Sequence, residues 1–282
     1  PVYEQAGVAL IGGSALTPQE FTLPNRLLCQ GWSASLFPGM VHFATTELDS
    51  EHIVAIGLDE PTYQLILDAF MNPLMERRGL PPLDFVGTPA NTPDFTAPMA
   101  AALAEDPEAI LAFGLPCEPV VQAYADLGTD VPLVMPDNCT DPDILESEGA
   151  IGDGVYYVTQ VDAPSFAAGE PAVDLYSRVV EEYGDGDITE SSLGLAAFSS
   201  VLIVHDTLDR VDVDTLAPAD VLSTFRAISD GDNPMIGTFN CAEPPLPAFP
   251  ALCNVSARLA QVTDGVLEPV TDWATVDELW NE

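Results

Sequence analysis

The sequence contains no lysine, and its cationic side chains are seven arginines set against 45 aspartates and glutamates. The formal net charge is therefore −38. Such a surface repels nucleic-acid phosphates and anionic lipid headgroups, because it cannot replace the counterions bound to them. The acidic residues are dispersed along the chain. We therefore expect a solvated, halophilic-type acidic surface, and no nucleic-acid partner.

Long apolar segments and chemical motifs are also missing. Residues 193–204 form an apolar run of only twelve residues, which is too short to cross a bilayer core of about 30 Å. The five cysteines and three histidines show no metal-ligand spacing,. GxGxxG, P-loop, HExxH and GxSxG motifs are absent. We therefore expect no cofactor, no metal site and no catalytic residues.

The 282 residues are 47% hydrophobic, which predicts a folded chain of about two domains,. Apolar runs of strand length alternate with helical patterns, as is typical of βαβ units and a mostly parallel sheet. The predicted strands are residues 8–12, 52–58, 83–88, 109–114, 131–136 and 154–160. The predicted helices are residues 36–48, 62–78, 95–104, 118–127, 142–146, 172–183, 191–208 and 219–228. Short strands are expected near residues 235–240, and a hairpin within 260–270 turning at Asp264 and Gly265. The predicted class is α/β, and ligands of such sheets bind beyond the carboxyl ends of the strands.

A capping box follows the first predicted strand. Thr17, Pro18 and Glu20 have the spacing of an N-cap, a first-turn proline and a third-position glutamate, which predicts that a helix begins here. The free N–H groups of that helix, the backbone of residues 13–16 and the Ser14 hydroxyl would suit a small carboxylate. An ordinary strand-to-helix turn explains the same residues equally well.

Three later loops hold further candidate residues, each directly after a predicted strand. Tyr63 lies near the start of a helix, where its ring can pack on a ligand and its hydroxyl can bond to it. Cys117 and Cys139 lie in loops after neighbouring strands, so they could form a disulfide. Asp137 would point into the same opening, although an aspartate at such a position is more often a cap or turn residue.

Cys241 and Cys253 bracket the proline-rich loop CAEPPLPAFPALC. A loop with so little other means of order is typical of one closed by a disulfide, which indicates export from the cytoplasm. The alternative is a pair of reduced, buried cysteines in a cytoplasmic protein. Cys29 is left over, either buried or paired with a segment outside this sequence.

The succession of segments resembles the type I periplasmic binding proteins of ABC importers, specifically the branched-chain amino acid (Leu/Ile/Val) receptors. The segments that carry the resemblance are GVALIGGSALTPQE, HIVAIGLDEPTYQ, DFTAPMAAALAEDPEAILAFG, VVQAYADLGTDVPLV, EGAIGDGVYYVTQ and SSLGLAAFSSVLIV. The resemblance implies a two-lobed fold of parallel sheets flanked by helices. Lobe 1 would hold residues 1–31 and 162–236, and lobe 2 residues 32–161 and 237–282. The family's opening units of lobe 1 precede the first segment, so the chain looks N-terminally truncated.

The resemblance also implies a function. The chain would be a monomeric, extracytoplasmic solute-binding protein, either periplasmic, secreted or lipid-anchored. It would close its lobes over a small polar ligand and present it to a membrane permease, without converting it. The resemblance implies ligand contacts from Ser14, Ala15, Thr17, Tyr63 and Asp137, and we predict that Ser33 and Cys117 also line the ligand site.

Ser33 stands where the family usually carries an acidic residue, which leaves amides and carboxylates open as ligands beside amino acids. Two other functions remain alternatives: a sensor or regulatory domain of the same fold, and an enzyme on an α/β scaffold.

Overall fold

The computed structural model of the protein describes residues 2–140, 142–145, 154–162, 169–184, 192–209, 217–233, 235–263 and 266–281. The described strands are β1 (Leu10–Ile11), β2 (Arg26–Leu27), β3 (Ile53–Leu58), β4 (Asp84–Thr88), β5 (Ala109–Ala112), β6 (Leu133–Pro136), β7 (Val155–Thr159), β8 (Gly231–Asn233), β9 (Gly237–Phe239), β10 (Arg258–Thr263) and β11 (Val266–Pro269). The described α-helices are α1 (Val2–Gln5), α2 (Ser33–Thr46), α3 (Pro61–Ile66), α4 (Asn72–Arg77), α5 (Thr96–Leu103), α6 (Cys117–Leu127), α7 (Pro142–Leu145), α8 (Pro171–Tyr183), α9 (Ser192–Leu208), α10 (Pro218–Arg226) and α11 (Val276–Trp280).

The chain divides into two compact units. Unit 1 comprises Pro1–Ser35 and Gln160–Ser256, and unit 2 comprises Leu36–Thr159 and Ala257–Glu282. Residues 237–256 therefore lie in unit 1, whereas the sequence analysis assigned them to lobe 2. Backbone pairing explains the difference, because Leu28 pairs with Leu252 and the Asn254 side chain donates hydrogen bonds to carbonyls of unit 1.

Unit 2 is built on a seven-stranded sheet in the order β11-β10-β7-β6-β5-β3-β4. Strands β4, β3, β5, β6 and β7 are parallel to one another, whereas β10 runs antiparallel to both β7 and β11. Every residue of β5 and β6 is buried, which matches their uninterrupted apolar sequences. The predicted strands and the terminal hairpin are thereby confirmed, although the hairpin turn at Asp264 and Gly265 lies outside the described residues.

One long predicted helix of unit 2 is interrupted. Residues 62–78 were expected to form a single helix, but α3 and α4 are separated by a π-helical turn, Leu67–Met71. The N–H of Asn72 donates to the carbonyl of Leu67, which is the wider π spacing. Pro73 follows at the start of α4. Because proline has no N–H to continue the α-helical ladder, the interruption falls there.

The described residues of unit 1 form two small sheets and three longer helices. Strands β1 and β2 pair in parallel, and β8 and β9 form an antiparallel pair. The side chain of Gln30 donates to the carbonyl of Ala196 at 2.9 Å and to the hydroxyl of Ser199. These bonds hold the inner face of α9 against the segment that follows β2.

Candidate functional site

The carboxyl ends of β3, β5 and β6 meet at one edge of the unit 2 sheet, since these strands are adjacent and parallel. In this sheet β3 lies between β4 and β5. The connection after β3 leads to β4 on one side of β3, and the chain then crosses back to β5 on the other side. The loops after β3 and β5 therefore diverge, which is the topological switch point where open α/β sheets bind ligands. Tyr63 and Cys117 follow these two strands, and Asp137 follows β6. The structure thus brings the three predicted unit 2 residues to one edge.

Tyr63 packs directly on the backbone of Gly114. A Cβ atom at Gly114 would lie 2.0 Å from Cε1 of Tyr63, so only glycine allows this contact. Gly114 also has a φ of +67°, which disfavours other residues,. Gly114 was not among the site residues predicted from the sequence. Its position at the end of a buried strand is the feature that could have revealed it.

The Tyr63 ring belongs to a cluster of aromatic side chains centred on Phe113. Phe113 lies 6.0 Å from Tyr63, 5.2 Å from Phe37 and 6.5 Å from Phe85, measured between ring centroids. Partial burial, and to a smaller extent the negative charge of Glu60, raise the pKa of the Tyr63 hydroxyl above its ordinary value. The phenol therefore stays protonated at neutral pH and can donate a hydrogen bond to a ligand.

The predicted Cys117–Cys139 disulfide is present, with an S–S distance of 2.03 Å. It ties the loop after β5 to the loop after β6. Asn138, half-buried beside it, directs its Nδ2 group at both sulfurs, at 3.6 Å and 3.8 Å. Asn138 is therefore a second residue of this edge that the sequence analysis did not select.

Asp137 lies at the expected edge but is largely covered. It starts the short 3₁₀ helix Asp137–Cys139, and only 2% of its surface is exposed. The hydroxyl of Thr140 donates to its carbonyl at 2.7 Å. Asp137 thus has the turn role that the sequence left open.

The predicted helix after β1 differs from expectation. The capping box is present, but the element that it starts is a five-residue 3₁₀ helix, Pro18–Thr22. The N–H groups of Leu16 and Thr17 both donate to Oε2 of Glu20 at 2.9 Å. The chain's own carboxylate thus occupies the Leu16 N–H, one of the backbone groups predicted to face a ligand, as well as the Thr17 N–H that the capping box assigns to it,.

Glu20 is held in this position as an anion. Partial burial alone would raise the pKa of Glu20, but hydrogen bonds from the Thr17 and Leu16 N–H groups, the Thr17 hydroxyl and Arg26 lower it below its ordinary value. Arg26 also donates to the carbonyl of Ser14. The loop of residues 14–17 is therefore rigidly held, and Ser14 is its exposed polar side chain.

Ser33 and Ala15 are structural partners of each other. Ser33 is 1% exposed, and its hydroxyl donates to the carbonyl of Ala15 at 2.8 Å. Ala15 is fully buried. The Ser33 hydroxyl is thus bonded to the loop of residues 14–17.

The second predicted disulfide, Cys241–Cys253, is also present, with an S–S distance of 2.04 Å. Cys29 is free and buried. Among the described residues, the sulfurs of these three cysteines form a group close enough to hold a metal ion. Two of them are bonded to each other, so the donor set of the folded protein is a disulfide and one thiol.

The histidines pair with groups that do not form a nucleophile and base. His52 lies 3.2 Å from Asp84, His205 lies 3.3 Å from Asp206, and His42 lies 2.7 Å from Arg78. Within the described ranges, no hydrogen bond joins a histidine to a serine hydroxyl or a free thiol.

Comparison with solved structures shows the same fold at low sequence identity. A leucine-binding protein of Thermotoga maritima aligns with a TM-score of 0.78 and 17% identity, covering 99% of this chain and 76% of its own. A fatty acid ABC transporter substrate-binding protein of Thermomonospora curvata gives 0.80 and 15%, covering 100% and 72%. An ABC transporter solute-binding protein of R. palustris, in complex with 4-hydroxybenzoate, gives 0.74 and 18%, covering 100% and 76%.

A family model described as periplasmic binding protein matches residues 1–243. No curated protein sequence matches the chain. Among the helices of the described ranges, none combines the length and apolarity needed to span a membrane. Since the family model covers most of the chain and the solved relatives share its architecture, the protein belongs to the periplasmic binding protein family and has the type I α/β fold of that family.

Proposed function

We propose that this protein is the extracytoplasmic ligand-capturing component of an ABC importer, which binds a small polar organic molecule unchanged and presents it to a membrane permease. The observation that carries the proposal is the switch point between β3 and β5, where Tyr63 packs on Gly114 and a disulfide ties the adjoining loops. Closure of two lobes over the ligand, expected from the family resemblance, stays a prediction.

The charges at this edge favour a ligand with an ammonium group. Asp59, Glu60 and Glu118 are exposed beside Tyr63 and Cys117, and the carboxyl group of Asp137 lies at the end of β6. Acidic side chains attract an ammonium group and repel a bare carboxylate. We therefore propose an amino acid or its amide as the ligand, in preference to the plain carboxylates that some structural relatives bind.

Calorimetric titration of the full chain with leucine, leucinamide, 4-methylpentanoate and 4-hydroxybenzoate tests this ligand class. Leucinamide lacks the carboxylate of leucine, and 4-methylpentanoate lacks its ammonium group. Asp137→Asn is expected to weaken leucine and leucinamide by about 1.5–3 kcal/mol, as for loss of a charged hydrogen bond, and 4-methylpentanoate far less. Tyr63→Ala is expected to weaken every ligand that binds.

Two matched variants serve as controls. Asp130 lies exposed before β6, at the opposite end of the strand from Asp137, and Tyr183 is 68% exposed in unit 1. Asp130→Asn and Tyr183→Ala should leave every affinity unchanged. If a ligand binds and neither Tyr63→Ala nor Asp137→Asn changes its affinity, the assigned edge is wrong. Mass spectrometry of the ligand after incubation with the protein tests the enzyme alternative. A chemically converted ligand would support that alternative.

A further inference from the structure

Three buried sulfurs lie together in unit 1, outside the edge described above. The sulfur atoms of Cys29, Cys241 and Cys253 all lie within 4.8 Å of one another. Each residue is at most 4% exposed. Cys241 and Cys253 form a disulfide, whereas Cys29 keeps a free thiol. A thiol beside a disulfide has the components of an exchange reaction.

Backbone pairing fixes these three residues in place. Leu28 pairs with Leu252, and the N–H of Cys253 donates to the carbonyl of Leu28 at 2.9 Å. Cys29 therefore stands next to Cys253 across this pairing. The N–H of Cys241 donates to the carbonyl of Ile228 at 2.8 Å, which anchors the other end of the disulfide. The proximity of the sulfurs thus comes from the fold of unit 1 and not from chance contact of mobile side chains.

We propose that Cys29 is the third member of a thiol–disulfide exchange triad. The Cys29 thiolate attacks one sulfur of the Cys241–Cys253 bond and forms a new disulfide with it, and the other sulfur leaves as a thiolate that takes up a proton. One S–S bond breaks and one forms, so the reaction needs no external oxidant or reductant. The sulfur released is a new free thiol in unit 1.

Burial of Cys29 controls when the exchange can occur. Loss of water raises the pKa of the Cys29 thiol to about 12. At pH 7 only about one thiol in 10⁵ is then ionised, and only the thiolate attacks a disulfide. Exchange is therefore slow at neutral pH, and its rate rises about tenfold per pH unit below the pKa of Cys29.

Disulfide mapping after incubation of the full chain at pH 7, 8, 9 and 10 in molar KCl tests the proposal. Acid quenching and peptic digestion at acidic pH stop further exchange before mass spectrometry. Peptides that link Cys29 to Cys241 or Cys253 are expected to appear, at rates that rise about tenfold per pH unit while circular dichroism shows a folded protein. The Cys117–Cys139 disulfide is the internal control and should stay intact.

Two results would overturn the proposal: folded protein without any Cys29-linked peptide at pH 10, or incorporation of Cys117 and Cys139 into mixed linkages at the same rate, which indicates global unfolding. Cys29→Ser should abolish the new linkages. Cys241→Ser tests proximity independently, because it leaves Cys29 and Cys253 as thiols. With oxidised glutathione as oxidant, the folded variant is expected to form a Cys29–Cys253 disulfide while glutathione is reduced. A folded Cys241→Ser variant that keeps both thiols free contradicts the triad.

Discussion

At the scale of single residues, the contact between Tyr63 and Gly114 depends on the absence of a side chain. Gly114→Ala is expected to lower the free energy of unfolding by about 2–4 kcal/mol, because alanine is strained at positive φ and its Cβ overlaps the Tyr63 ring. Urea unfolding measures this loss.

Gly128 provides the matched control for that substitution. It caps α6 with a φ of +58°, and nothing lies within 4 Å of the position of its Cβ. Gly128→Ala should therefore cost only the backbone strain of about 1–2 kcal/mol. If both variants lose the same stability, the Tyr63 ring does not press on Gly114. Adding Tyr63→Ala to Gly114→Ala should recover the excess loss.

His42 gives unit 2 a defined response to acid. Burial, and then the nearby guanidinium of Arg78, lower the pKa of His42 below its ordinary value, against the opposing effect of Glu278. The unfolded chain then binds a proton at a higher pH than the folded protein does. Stability is therefore expected to fall as the pH drops below about 6.5 toward the folded pKa.

His42→Gln removes the titrating group and tests this response. Urea unfolding at pH 7.5 and pH 5.5 should show a smaller loss of stability in the variant than in the natural chain. His205→Gln is the control, since His205 is exposed at the end of α9. An equal pH response of the natural chain and His42→Gln would contradict the assignment.

At the scale of elements, the two disulfides lie in different units of the chain. Cys117–Cys139 closes 22 residues at the ligand edge of unit 2, and Cys241–Cys253 closes 12 residues in unit 1. Removing either pair by double alanine substitution is expected to lower the free energy of unfolding by about 3 kcal/mol.

Ligand affinity should separate the two disulfides. Loss of Cys117–Cys139 frees the loops that hold Asp137 and Asn138, so the loops must be ordered again on binding. Calorimetry is therefore expected to show weaker binding for the Cys117→Ala/Cys139→Ala variant and unchanged binding for Cys241→Ala/Cys253→Ala. The reverse result would place the ligand outside the unit 2 edge.

At the scale of the whole molecule, the net charge of −38 dominates. Repulsion among the surplus negative charges acts over about 30 Å at 0.01 M salt and about 3 Å at 1 M. We therefore expect the melting temperature to rise with KCl. Sucrose at equal osmolality is the control, because it favours the compact state without screening charge. A melting temperature that KCl leaves unchanged or lowers would refute the expectation.

The sequence by itself determined the order and type of most elements. Continuous apolar runs predicted β3, β5 and β6 to within two residues at each end, because strands buried on both faces have no other composition. The capping box of Thr17, Pro18 and Glu20 marked the start of the Pro18–Thr22 turn. The bracketing of a proline-rich loop identified Cys241 and Cys253 as a pair. Such features are local, because they depend only on residues that are close together in the sequence.

Only the tertiary structure decided which groups already have a partner within the protein and which residues lie side by side. The Ser33 hydroxyl, which was predicted to face a ligand, instead bonds to the carbonyl of Ala15. Gly114 became a site residue because the Tyr63 ring, distant in sequence, lies against it. Cys29 came next to a disulfide more than 200 residues away along the chain. These relations depend on strand order and backbone pairing across the chain, and the local periodicity of a sequence does not encode them.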